Sequence, residues 1–208
     1  VEAADYYFLQ LELECKQVLP SGRMAEIECD DPDELGLVQV VRFLDGRDSA
    51  VYLRADADLT VSTLMRDASA EEMLSLPEVS EYRGLCLRRL FAGRTGILTG
   101  RPGREEYRQV ERDGRRWVIR KQGEVVASAV SSRGNERSAE LGVETEPAHR
   151  HRGYGRQVCA AWAADILASG RAAFYSYQFT NRASAQLARS LDVAWQFETA
   201  SSTLADSR

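Results

Sequence analysis

Residues 149–156 read HRHRGYGR, a stretch that holds both histidines of the chain, three arginines, two glycines and no acidic residue. The chain around it is acidic, with a formal charge of −5. A cationic, glycine-containing segment directly before a long apolar stretch is suited to hold an anion. The first backbone N–H groups of a helix lack internal partners and lie at the positive end of its dipole. Glycines at 153 and 155, on either side of Tyr154, let that backbone approach a phosphate closely, and Arg150, Arg152 and Arg156 add charge. The common nucleotide loops do not fit. No G-K-[ST] is present, and Val158 stands where a dinucleotide fingerprint needs its third glycine. His149 and His151 have no third ligand at metal-binding spacing, so no metal site is expected, and the pair read as surface histidines beside a phosphate.

Two carboxylates upstream could do proton chemistry. Glu140 and Glu144 alternate with Leu141 and Val143, so on a regular strand both glutamates share one face. Either could remove a proton from a nucleophile. Cys159 falls among apolar neighbours inside the following helix, which argues against a thiolate nucleophile. The cysteines at 15, 29, 86 and 159 show no C-x-x-C pair or metal spacing, and suit reduced thiols in a cytoplasm.

Something must position these groups. The 208 residues, 44% apolar and 28% charged, have the composition of an ordinary soluble globular protein long enough for one domain or two small ones. No run of about 18 apolar residues offers a membrane span. The opening VEAADYY has neither the charged nor the apolar region of a signal peptide and no initiator Met, so a cytoplasmic protein with a natural start further upstream is expected. The negative charge, and the absence of basic residues interleaved with aromatics, argue against a nucleic-acid partner.

The first half reads as a small α+β unit over residues 1–92. LQLELECK (9–16) alternates like a half-buried strand, LPSG turns, and RMAEIEC (23–29) returns. GLVQVVRFL (36–44) and AVYLRA (50–55) flank a DGRD turn as a second hairpin, with a short helix as the alternative. DASAEEMLSL (67–76) opens with helix-capping residues, and EVSEYRGLCLRRLFA (78–92) continues in helical composition. GRTGILTGRPGREE (93–106), rich in glycine, reads as a linker or connecting loop. In the second half, residues 115–123, 124–132 and 138–147 read as strands. A helix follows over 153–168, with Val158, Trp162 and Ile166 in one apolar column. Then come a strand (172–179, carrying Tyr175, Tyr177 and Phe179 on one face), a shorter helix (181–191) and a last strand (194–200).

ELGVETEPAHRHRGYG resembles the central motif of the GNAT superfamily of acyl-CoA-dependent N-acetyltransferases: a strand ending in V-x-P, then Q/R-x-x-G-x-G/A opening a helix. Arg150, Gly153 and Gly155 occupy the motif positions. NRASAQLARSLDV resembles the family's later N-x-x-A/S helix, and the resemblance spans residues 110–200. It is similar to bacterial members with an extra N-terminal domain. The fold implied is α+β, a splayed mixed sheet with flanking helices over 107–208, preceded by the small α+β domain.

The resemblance implies acetyl-CoA as co-substrate and no metal. Its pyrophosphate would lie on the backbone from Arg150 to Arg156, through His151, Arg152, Gly153, Tyr154 and Gly155. Val143 and Thr145 would offer backbone groups to the pantetheine, and Asn181 and Ser184 would touch the cofactor's far end. Many members carry a tyrosine near the middle of the later helix as acid for the leaving thiolate; this chain has Ala188 there, and Asp192-Val193 for the usual Gly-Phe. The implied function is N-acetyl transfer to a primary amine, small molecule or peptide, in one ternary complex. The alternative is a non-catalytic acyl-CoA-binding regulatory module. Whether the N-terminal domain shapes the acceptor pocket, covers an edge or makes a homodimer stays open.

Overall fold

The computed structural model describes residues 2–27, 35–100 and 102–205. The chain forms two compact units, Val1–Thr95 together with Gln196–Arg208, and Gly96–Trp195. Both mix helices and sheet, and among the described residues there are five α-helices and twelve strands.

The first unit begins with α1 (Ala3–Leu13), where the sequence pattern pointed to a strand. Leu9, Leu11 and Leu13 are all buried. On a helix Leu9 and Leu11 are about 200° apart, close to opposite sides. An enclosed helix can therefore show the alternation of a half-buried strand. Only β1 (Lys16–Val18) is extended in that segment, and it pairs antiparallel with β2 (Met24–Glu26) across the expected turn. The reading of 23–29 as strand extends beyond residue 27 into a segment outside the described residues.

The second hairpin forms as expected, with β3 (Val38–Phe43) antiparallel to β4 (Ala50–Leu53) and Val38 opposite Leu53. The sequence reading missed α2 (Leu59–Leu64), capped by Asp58, whose Oδ1 accepts from the Val61 N–H at 2.8 Å. Ser69 caps the expected α3 (Ala70–Ser75).

Residues 78–92 are not helical. They form β5 (Val79–Tyr82) and the start of β6 (Leu85–Leu98), joined by Arg83 (φ 50°) and Gly84 (φ 81°). Two consecutive positive φ values make a tight hairpin turn whose twist matches the strands. Nor is 93–98 a linker, because β6 continues to Leu98. Gly96 is needed there for close approach: a Cβ would lie 2.6 Å from the Val193 side chain and 2.8 Å from the Ala194 carbonyl. The unit's strand order is β4-β3-β12-β6-β5, with β12 (Val193–Leu204) entering from the far end of the chain. Val38 and Val40 pack with Val61, Met65 and Met73 from α2 and its vicinity and from α3. Val41, facing the other way, packs with Tyr7 and Leu11 of α1.

Cys15 is disulfide-bonded, while Cys86 and Cys159 are free. The expectation of four reduced thiols is corrected, and with it the cysteine argument for a reducing compartment. No helix among the described residues is long and apolar enough to cross a membrane.

The second unit has the strand order β7-β8-β9-β10-β11. Its elements are β7 (Glu111–Asp113), β8 (Arg116–Lys121), β9 (Glu124–Gly134), β10 (Ser138–Thr145), α4 (Tyr154–Ala168), β11 (Ala172–Gln178) and α5 (Arg182–Ala188). The first four strands are successive antiparallel neighbours, and β10 and β11 are parallel. A parallel pair requires a crossover, which α4 supplies. Val158, Cys159, Trp162 and Ile166 pack it against Ile119, Ala129, Leu141 and Tyr175. The Trp162 indole N–H donates to Ser131 Oγ at 3.0 Å, so its one polar atom is satisfied in the core.

Candidate active site

The candidate anion cradle is built by backbone conformation. After Thr145 the chain makes a short 3-10 turn (Pro147–His149), then places His151 at φ 59° and Gly153 at φ 77° before α4 begins. Among the described residues, no hydrogen-bond acceptor engages the N–H groups of the six consecutive residues from His151 to Arg156, whereas the Gln157 N–H already donates to the Gly153 carbonyl at 3.1 Å. These are the orphan donors that a helix start offers to an anion. Gly155 lies close to the end of β10: a Cβ there would be 3.1 Å from Thr145 Oγ1. At Gly153 nothing lies within 4 Å, so glycine serves conformation there rather than space.

The side chains divide around this loop. The Arg150 Nε–H donates to the Thr145 carbonyl at 3.2 Å, tying the loop to the strand. Arg152 and His151 are exposed. Arg156 pairs with Glu106 at 3.1 Å and lines a cavity of about 170 Å³ with Glu106, Leu98, Cys159 and Asp192. Its guanidinium is therefore already engaged, while its N–H remains part of the cradle. The Lys121 ammonium lies 5.3 Å from the centre of the Tyr154 ring, adding a cation that the sequence reading did not assign to the site. Its signal was only its identity as one of two lysines in the chain.

The strands diverge as a splayed sheet requires. β10 and β11 are in register over three rungs: Ser138 with Ala172, Ala139 with Ala173, and Glu140 with Phe174. From Leu141 to Thr145 no residue of β11 stands opposite, so Val143 and Thr145 border the gap. At its vertex is Glu140, 9% exposed. One carboxylate oxygen accepts from Ser176 Oγ, and the other lies 3.5 Å from Arg133. The register of β10 against β9 shifts between Glu140 and Leu141, so the pairing is bulged at this point. Glu144 is exposed. Strand parity held the two glutamates equivalent; their surroundings separate them.

Asn181 caps α5, its Oδ1 accepting from the Ser184 N–H at 3.0 Å. The Ser184 carbonyl in turn accepts from the Tyr175 hydroxyl at 3.0 Å. Burial pushes the Tyr175 phenol well up, and that hydrogen bond only partly opposes the rise. Tyr175 is thus a packed, protonated structural group. Burial also pushes the Cys159 thiol far above its ordinary range, which removes thiolate character at neutral pH. Ala188 is buried in the same core. Among the described residues no three His, Cys, Asp or Glu side chains are grouped to hold a metal.

Residues 105–199 match the family profile described as GNAT acetyltransferase. No curated protein matches the chain. Among solved structures, a GNAT-family protein from Novosphingobium aromaticivorans is 19% identical, with a TM-score of 0.44, over 57% of this chain and 68% of its own. A GNAT-family acetyltransferase from Colwellia psychrerythraea is 9% identical, with a TM-score of 0.45, over 74% and 76%.

Proposed function

We propose that the second unit transfers an acetyl group from acetyl-CoA to a primary amine, both bound at once. The observation that carries this reading is the run of six backbone N–H groups, His151 to Arg156, without acceptors at the start of α4. A run of unpaired donors leading into a helix N-terminus suits a pyrophosphate, whose charge is spread over several oxygens. Arg150 holds the loop against β10, and Arg152, His151 and Lys121 supply the surrounding cationic side chains. Thioester chemistry comes with the bound co-substrate.

The chain's own part is to align and to move protons. Val143 and Thr145 offer backbone groups along the gap between β10 and β11, where a pantetheine arm lies as an added strand. Asn181 and Ser184 sit at the start of α5 and border the cofactor's far end. Glu140, at the vertex, is the base for the amine, and Glu144 is the weaker candidate because it is solvated. Buried Cys159 favours direct transfer over an acyl-enzyme. An acidic protein favours a cationic amine, small molecule or peptide.

Calorimetry with coenzyme A tests the cradle. Binding is expected for the wild type, together with a rise in melting temperature, because a ligand that binds only the native state stabilises it by mass action. Gly153→Glu places a carboxylate at the anion position and is expected to abolish both. Absence of binding at millimolar coenzyme A overturns the reading. Thiol release from acetyl-CoA with a panel of amines then separates transferase from regulatory binding module: release supports the first, and binding without release supports the second.

A further inference from the structure

We propose that Ser176 is the group that meets the amine, and that Glu140 acts through it as the terminus of a two-step proton relay anchored by Arg133. This rests on the acetyl-transfer reading above and names the proton path within it. The starting point is the burial of Glu140. At 9% exposure, with one oxygen taken by Ser176 and the other beside Arg133, its carboxylate does not present a free face to a substrate. Ser176 does. It lies two residues past Phe174, the last residue of β11 in register with β10, and it is half-buried rather than enclosed. The Ser176 hydroxyl therefore stands between the gap and the carboxylate.

The hydrogen-bond direction suits a relay. A serine hydroxyl has one proton and two acceptor sites. Ser176 donates its proton to Glu140, which leaves its oxygen able to accept from an N–H in the gap. Arg133 compensates the charge of a carboxylate that would otherwise be buried alone. The Ser132 hydroxyl donates to the Glu140 carbonyl at 3.1 Å, fixing the backbone at the bulge that sets this geometry. Glu140 is thus held from three sides: Arg133 and Ser132 on β9, and Ser176 on β11.

An ammonium proton passes to Ser176 Oγ while the Ser176 hydroxyl proton passes to Glu140, leaving a neutral amine, an intact serine and a protonated carboxyl. The amine's lone pair forms the C–N bond and the thioester C–S bond breaks, its electron pair leaving on sulfur. The surplus proton on the new amide nitrogen goes to that sulfur. Glu140 then returns its proton to solvent through Ser176. The products are the amide, the free thiol and one proton. No separate acid is needed for the thiolate, which fits a chain with Ala188 where relatives carry a tyrosine.

The test compares Ser176→Ala and Ser176→Thr, using the amine the wild type acetylates fastest. Ser176→Ala is expected to lower kcat by about 10²-fold or more, the usual scale for losing a proton-transfer group. Coenzyme A affinity and melting temperature should stay near wild type. Ser176→Thr keeps the hydroxyl on a side chain suited to a strand, and is expected to restore turnover to within about tenfold of wild type. Turnover of Ser176→Ala close to wild type overturns the relay. Equal losses in both variants overturn it too, because the hydroxyl would not be the group that matters, and so does a loss of coenzyme A binding in Ser176→Ala. Failure of the wild type to bind coenzyme A overturns the acetyl-transfer reading and the relay with it. Binding without thiol release for any amine leaves the cradle standing and removes the relay alone with the chemistry.

Discussion

Glu140 and Glu144 are four residues apart on one strand and differ in burial and in partners. The first is buried against Arg133 and Ser176; the second is solvated. Glu140→Gln keeps size and hydrogen bonding but loses the basic oxygen, so a fall of about 10²–10⁴ in kcat is expected. Coenzyme A affinity should change little, because the cradle follows the opposite end of β10. The acidic limb of the pH–rate profile should flatten. Glu144→Gln is the paired control, with the smaller effect expected; a loss confined to it would move the base four residues along. Arg156 carries the opposite lesson about reading charge. Its position in the motif suggests a phosphate contact, yet its guanidinium pairs with Glu106 while its backbone N–H remains available to the cradle.

The cradle, as an element, depends on a junction between β10 and α4 that is tight at Gly155. Gly155→Val is expected to push against Thr145 Oγ1 and Leu187 and to weaken coenzyme A binding at least tenfold in calorimetry, with a lowered melting temperature. Unchanged binding would mean that the junction can open without cost. Glycine-bearing turns and apolar columns made this part of the chain legible from sequence. The order of β8 to α5 follows from Gly123, Pro147, Gly153, Gly170 and the Val158–Trp162–Ile166 column, all of which act locally. The first half was less legible because its determinants are not local. Leu9, Leu11 and Leu13 alternate, but α1 buries them on several sides. Leu85, Leu87 and Leu90 have helical composition, but a tight turn at Arg83-Gly84 makes a hairpin of them. Gly96 reads as a linker residue, whereas the approach of residues 193–195 is what excludes a side chain there. The bulge and the Arg133–Glu140–Ser176 contact bring together three strands, and no spacing rule in one strand reveals them.

Across the whole molecule the chain returns to where it began: β12 lies between β3 and β6 in the first unit, with Thr199 opposite Val41 and Ser201 opposite Gln39. Its anchor is Glu198, 2% exposed, which accepts from Arg42 on β3 and Arg94 on β6. Burial alone would raise this carboxyl, but hydrogen bonds from Arg42 and Arg94 outweigh it and hold it below the usual carboxylate range. A carboxyl with a lower value folded than unfolded stabilises the fold where the unfolded group is ionised. That contribution is lost as pH falls through the folded value, because the unfolded state binds more protons there. Wild type is therefore expected to exceed Glu198→Gln in urea midpoint by a constant margin above the ordinary glutamate value of about 4.3, and the margin should shrink as pH drops below it. Truncating one partner leaves a buried carboxylate half-compensated, so Arg94→Ala is expected to cost about 1–3 kcal/mol; the arginines' partial exposure keeps this below a fully buried pair. A margin that grows on acidification would mean that Glu198 is held in its neutral form, with the arginines paired elsewhere. The first unit would then hold its last strand by sheet pairing with β3 and β6 and by apolar packing.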